Sequence, residues 1–209
     1  MSEWADDELR DLKVFFQKYG RVLVYGGLAL LLVGVGVFTY RHYEARRGIL
    51  AAGLYDEMLG ATTQARWSLA LAAGHKLEHD YAGTPYAGQA ALLLARVDYE
   101  QKHASAAIAD LRFAARHGHG WSVRTIARLR LAGLLLALGH PHKAWPYAHL
   151  KKPYGFEGQA LALQAGIRAR EGHERRAYRL YTEALKHVPK KSVFAALWHR
   201  LRSQLQETS

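Results

Sequence analysis

Cysteine is absent from the 209-residue chain. Its absence excludes a disulfide scaffold, thiolate catalysis, a Cys-ligated zinc site and an iron–sulfur centre. It fits an oxidising compartment without requiring one. Catalytic signatures are missing as well. There is no G-x-S-x-G elbow, no phosphate-cradling G-x-x-x-x-G-K and no G-x-G-x-x-G after a strand. His173-Glu174 opens like the zinc motif H-E-x-x-H, but Ala177 stands where the second histidine must be. No enzyme and no cofactor are expected.

Acidic residues are also scarce, 18 against 29 Lys and Arg, for a net charge of +11. Residues 1–21 carry five acids and four bases, whereas residues 41–209 carry 13 acids and 25 bases. From Leu111 to Phe156 there are eight Lys or Arg, five His and no acid. Arg116, Arg124, Arg128 and Arg130 are the candidate partner surface within that stretch. A solvated face of a basic protein explains them equally well. The functional readings are an acidic protein partner or anionic lipid headgroups. Nucleic acid is disfavoured, because no recognition motif accompanies the charge. The pairs His117-x-His119 and His140-x-His142 fall in expected inter-helix loops with no carboxylate nearby to complete a ligand set, so no metal site is expected.

One long stretch lacks charge altogether. From Val22 to Tyr40 the chain reads VLVYGGLALLLVGVGVFTY, 19 residues without a charge. A helix of that length roughly spans the bilayer hydrocarbon core, at about 1.5 Å per residue. Tyr19, Tyr40 and Tyr43 sit at interfacial depth, and Arg21 and Arg41 lie just outside. A buried core helix rarely runs five turns with no charged face. A cleaved leader needs small residues after its core, where this chain has Phe38, Thr39, Tyr40 and Arg41. The expectation is therefore one uncleaved transmembrane helix over 22–40. Gly20, Gly27 and Gly34 recur every seven residues along one face, a candidate helix-packing stripe. Glycine is also simply common in membrane helices. Ahead of the span, Leu9, Leu12, Phe16 and Tyr19 share a face behind Ser2 as a possible N-cap, which suggests a short amphipathic segment over 1–21.

The rest of the chain is rich in Ala and Leu at helical spacing, interrupted by Gly83-Thr84-Pro85, Gly118-His119-Gly120, Gly139-His140-Pro141, Gly155, Gly172 and Pro189. Ala107, Ala144 and Ala177 are 37 and 33 residues apart. That is about the period of a tetratricopeptide repeat, a helix–turn–helix unit of roughly 34 residues. A small side chain at the closest crossing lets two helices approach, and a bulkier one four residues on fills the space beside it. Ala107, Ala144, Ala177, Tyr181 and Ala184 are the expected repeat-packing residues. Only the last unit carries most of the pattern, and Pro146 predicts a short or kinked second helix in the middle unit. Residues 48–80 read as a further helix pair. Ser192 can cap a final helix whose Phe194, Leu197, Trp198, Leu201 and Leu205 share one face, as a terminal cap of a stack requires.

The expected fold is all-α: one transmembrane helix, a basic juxtamembrane linker over 41–47, then a tetratricopeptide-like solenoid over 48–209 of about four helix pairs with a C-terminal capping helix. The order of these parts resembles the YfgM-like family, ancillary subunits of the bacterial SecYEG translocon. The likeness rests on Leu9–Gly20 (LRDLKVFFQKYG), on Thr84-Pro85-Tyr86-Ala87, and on Gly155–Ala160 leading into Gly166–Gly172 with Ala177 and Tyr181 beyond. The soluble part is more basic than that family's. The resemblance implies a bacterial inner-membrane protein with a cytoplasmic N-terminus and a periplasmic repeat domain. It also implies association with the Sec translocon, a membrane-anchored periplasmic chaperone of the prolyl-isomerase type as partner, translocating client proteins, and no catalysis. The alternative is a cytosolic-facing scaffold that holds acidic partners or anionic lipid through its basic face.

Overall fold

A computed structural model describes residues 3–207, with side chains from Lys18 to Gln206. Among the described residues every regular element is helical: α1 (Glu3–Thr63), α2 (Trp67–Asp80), α3 (Pro85–Glu100), α4 (Ala104–His117), α5 (Gly120–Ala137), α6 (Pro141–Ala148), α7 (Glu157–Arg170), α8 (Glu174–Ala184) followed by a 3-10 turn (Leu185–His187), and α9 (Val193–Glu207). The chain divides into two compact units, Met1–Arg47 and Gly48–Ser209.

The first unit is helical through its described length. Every large apolar side chain from Val22 to Tyr43 is exposed, Leu30 by 75% and Phe38 by 73%. In water, that much uncovered apolar surface is strongly unfavourable at roughly 25 cal/mol per Å². Thr39 donates its hydroxyl to the Val35 carbonyl at 2.8 Å, so the span's one hydroxyl outside its tyrosines is satisfied within the helix. Residues 41–47, expected as a linker, are helical. Glu44 and Arg47 form an i,i+3 ion pair there, and no Gly or Pro breaks the run. A Cβ added at Gly20, Gly27 or Gly34 meets nothing within 4 Å among the described residues. Ser2 and the side chains of Leu9, Leu12 and Phe16 lie outside the described residues.

In the second unit the helices stack as consecutive pairs, the first made from the C-terminal part of α1 with α2, then α3/α4, α5/α6 and α7/α8. One turn geometry recurs inside all four pairs. Ala65, Lys102, Gly139 and Gly172 are left-handed, with φ of 53°, 64°, 79° and 78°. The next residue then donates its N–H to the carbonyl five back: Arg66 to Ala61, His103 to Asp98, His140 to Leu135 and His173 to Arg168, at 2.8–2.9 Å. This closes each first helix as a Schellman motif. Four residues on, Ala70, Ala107, Ala144 and Ala177 donate to the carbonyls of Arg66, His103, His140 and His173, and all four alanines are fully buried. The repeat is therefore present four times, at spacings of 37, 37 and 33 residues.

Across each pair the facing residue, twelve positions earlier, is Met58, Ala95, Ala132 or Ala165, all buried. In three of the four pairs both positions are alanine, small enough to let the helix axes come close. Tyr181 (5% exposed) and Ala184 (0%) are buried in the last pair. Pro146 lies inside α6, which ends after eight residues. Its ring removes one helical donor and crowds the preceding turn. At the C-terminal end Ser192 accepts from the Ala195 N–H at 3.0 Å and caps α9. Trp198 and Ala195 are buried against the stack, whereas Phe194 and Leu197 on the same helix stay about half exposed.

Candidate functional site

The half-exposed side of α9 forms one wall of a groove. Phe194, Leu197, Trp198 and Leu201 from α9 face Ile126, Leu129 and Leu136 of α5 and Leu163 and Tyr181 of α7 and α8. Phe156 also lines it, and the cavity holds about 540 Å³. Arg130 and Gln159 are the charged and amide groups in this apolar lining. Close packing beneath it depends on Gly158 and Gly166. A Cβ on Gly158 would come within 3.2 Å of Trp198, and one on Gly166 within 3.1 Å of Leu136.

A second cavity of about 330 Å³ lies between α3, α4 and α5, lined by Leu92, Ala95, Tyr99, Leu111, Leu134 and two arginines, Arg96 and Arg130. Arg130 lines both cavities. It is exposed, and is the residue the two linings share. The arrangement offers two apolar recesses that share one arginine, which suits an amphipathic segment carrying a carboxylate among apolar side chains.

The other arginines of the candidate surface are placed differently. Arg124 donates to the Gly118 carbonyl at 3.0 Å, and Arg128 donates to the Pro146 carbonyl at 2.8 Å. Both satisfy carbonyls at the ends of helices, where the ladder leaves them without partners. Arg116 is exposed in the last turn of α4, a favourable place for a cation in the helix dipole. Helix geometry sets Arg130 about 200° round α5 from Arg128. Of the four, Arg130 is the one in the groove.

The structure also assembles a polar cluster that the sequence reasoning passed over. One ligand atom each from His75 and Glu78 of α2 and Asp110 of α4 lie within 4.8 Å of one another. Burial and the neighbouring carboxylates Glu78 and Asp98 push Asp110 up to about 8. Burial also raises Glu78, against the opposing pull of His75. The signal in the sequence was the i,i+3 spacing of His75 and Glu78, and two lone acids, Asp98 and Asp110, at core positions of apolar helices.

A family profile described as a tetratricopeptide repeat-like domain matches residues 13–206. The chain belongs to that family. Among curated proteins, no relative matches it. The matched range takes in the four repeated turns, the paired alanines, the groove and the apolar stretch of α1. A tetratricopeptide repeat-like domain is a scaffold for protein–protein interaction.

Proposed function

We propose that this protein is a non-enzymatic, membrane-anchored adaptor that binds an extended or helical protein segment in the groove of α5, α7 and α9, with Arg130 pairing a carboxylate of the segment. The observation that carries this reading is the placement of Arg130 in the linings of two apolar recesses in a protein-interaction fold. The anchor reading is supported by the exposed apolar surface from Val22 to Tyr43, by the charged residues that bracket it, and by one helix long and apolar enough to cross a membrane. The resemblance to the YfgM-like family supports the finer statement. The anchor lies in the bacterial inner membrane with the N-terminus cytoplasmic, and the repeat domain is periplasmic beside the SecYEG-type translocon. It binds translocating chains or a membrane-anchored prolyl-isomerase-like chaperone.

Two measurements test this. The native chain has no cysteine, so Ser105→Cys, at an exposed position on α4, is a single label site. A membrane-impermeant maleimide should label it in intact spheroplasts. Labelling only after lysis removes the periplasmic reading and favours the cytosolic scaffold. A photo-crosslinking residue at Leu197 should then capture an arrested translocating chain or the purified chaperone, and Arg130→Glu should reduce that yield at least about tenfold, as truncation at the centre of an interface does. Equal yields with Arg130→Glu would overturn the groove assignment.

A further inference from the structure

We propose that His75, Glu78 and Asp110, with Asp98 behind them, bind one divalent transition-metal ion of the zinc class, which ties α2, α3 and α4 together. The site is separate from the groove and independent of the reading given above.

Three carboxylates lie within this stack of helices. Asp98 and Asp110 are 3% and 4% exposed, and the Glu78 side chain is 16% exposed. Among the described residues their ionic contacts are two histidines: His75 Nδ1 lies 3.7 Å from Glu78, and His103 Nδ1 lies 3.4 Å from Asp98. No Lys or Arg among those residues pairs with any of the three. Glu78 Oε1, Asp98 Oδ2 and Asp110 Oδ2 are each buried without a hydrogen-bond donor among the described residues. A buried carboxylate oxygen with neither cation nor donor is strongly unfavourable. Asp98 and Glu78 repel the charge on Asp110, and a proton or a cation relieves that repulsion.

A metal ion supplies that missing charge to all three helices at once. Three ligand atoms bonded to one zinc-class ion at about 2.0–2.2 Å stand roughly 3.3–3.8 Å apart. The His75, Glu78 and Asp110 atoms, within 4.8 Å of one another, close to that spacing by side-chain shifts on the order of 1 Å. One imidazole with two carboxylates is a borderline donor set, suited to zinc or manganese rather than to a soft ion. His75 is exposed and gives the ion a way in, while Asp98 supplies a buried carboxylate beside Asp110 that can orient it.

The test is isothermal titration of Zn²⁺ into the full chain in detergent after chelator treatment. One ion should bind per chain, and Asp110→Asn and Asp98→Asn should each weaken binding at least about tenfold, the range for losing a supporting carboxylate. The surface pairs could mimic this, so His117→Gln, His119→Gln, His140→Gln and His142→Gln together should leave it intact. Should an Asn variant fail to fold, the Zn²⁺-dependent rise in Tm of the native chain, abolished by His75→Gln at its exposed position, gives the same answer. The proposal is overturned if the native chain takes up no ion, if the Asn variants bind like the native chain, or if the four-histidine variant loses the binding. A further overturning result is a cluster held by shared protons, with Asp110→Asn raising Tm in chelator and Zn²⁺ changing nothing.

Discussion

The guanidinium of Arg168 lies 4.0 Å from the ring centroid of Trp145, joining the fourth helix pair to the third. The same guanidinium donates to Glu171 at 2.8 Å, and the other Glu171 oxygen lies 3.3 Å from His142 Nδ1. This contact compensates for α6. With eight residues and an internal proline, α6 offers little surface of its own, and Trp145 supplies much of what it has.

Removing Arg168 should therefore cost more than a surface ion pair does. Arg168→Gln should lower unfolding free energy by about 1–3 kcal/mol, combining a partly desolvated cation–π contact with the loss of Glu171's partner. Arg168→Lys should recover less than half of that, because an ammonium cannot both lie flat on the indole and reach the carboxylate. Urea unfolding of the two variants measures both effects. A loss within experimental error for Arg168→Gln would mean that α6 is held by its alanines alone.

Two glycines in neighbouring helices should respond to alanine with opposite signs. A Cβ on Gly74 would sit 2.6–2.9 Å from three side-chain atoms of Leu94, a residue that is itself fully buried. Leu94 has no room to yield, so Gly74→Ala should destabilise by about 1–3 kcal/mol through overpacking. Gly53 is exposed within α1, and a Cβ there meets nothing within 4 Å among the described residues. Gly53→Ala should stabilise by about 0.5–1 kcal/mol, the helix propensity difference. Melting curves of the two variants check the pair.

The contrast between these positions shows what sequence pattern can carry. Helical periodicity, the punctuating Gly and Pro residues and the spacing of Ala107, Ala144 and Ala177 are local or nearly periodic features, and they pointed to the all-α paired architecture. The first repeat was hidden because its turn uses Ala65 and Arg66 where the later units have Gly or Lys followed by His, although Ala70 stands at the same spacing of 37 residues. The groove was less legible. Phe194 and Leu197 share the apolar face of α9 with Trp198, and periodicity alone cannot tell which side chains the stack covers. The basic run between Leu111 and Phe156 also divides on folding. Arg124 and Arg128 turn to backbone carbonyls, while Arg130, two residues on, faces the cavities. The partners of Asp98 and Asp110 come from three helices, and no local spacing encodes that meeting.

The buried acids also predict a pH dependence for metal-free protein. Asp110 is pushed up to about 8 by burial and by Glu78 and Asp98, from 3.8 when unfolded. His75 and Glu78 face it from α2, Asp98 from α3, and His103 flanks Asp98 from the α3–α4 turn. Between the two values the folded chain holds a proton that the unfolded chain has released. Stability should thus fall as pH rises from about 4 to about 8 and flatten above that. Asp110→Asn should remove this part of the slope. Urea midpoints of both proteins in chelator across that range measure it, and parallel curves would show that Asp110 titrates normally.

Arg128 and Arg130 provide the separation between holding the fold and holding a partner. Arg128 donates to the Pro146 carbonyl, and its Nε is buried without an acceptor among the described residues, so the group is committed to the α5–α6 contact. Arg128→Gln leaves that carbonyl at the end of a proline-shortened helix without its charged donor. The loss should be about 1–3 kcal/mol of stability, the range for a hydrogen bond to a charged group, with little change in partner affinity once the variant is kept folded by lower temperature. Arg130 is exposed in the lining of two cavities, and Arg130→Gln should leave the urea midpoint unchanged within about 0.5 kcal/mol, as surface substitutions do. Partner binding should instead weaken about tenfold or more and lose part of its salt dependence, because the pairing it removes is electrostatic. Measuring midpoint and affinity on both variants crosses the two roles. If Arg128→Gln weakened binding while Arg130→Gln did not, the partner surface would lie on the α6 side of α5 and the groove would be structural.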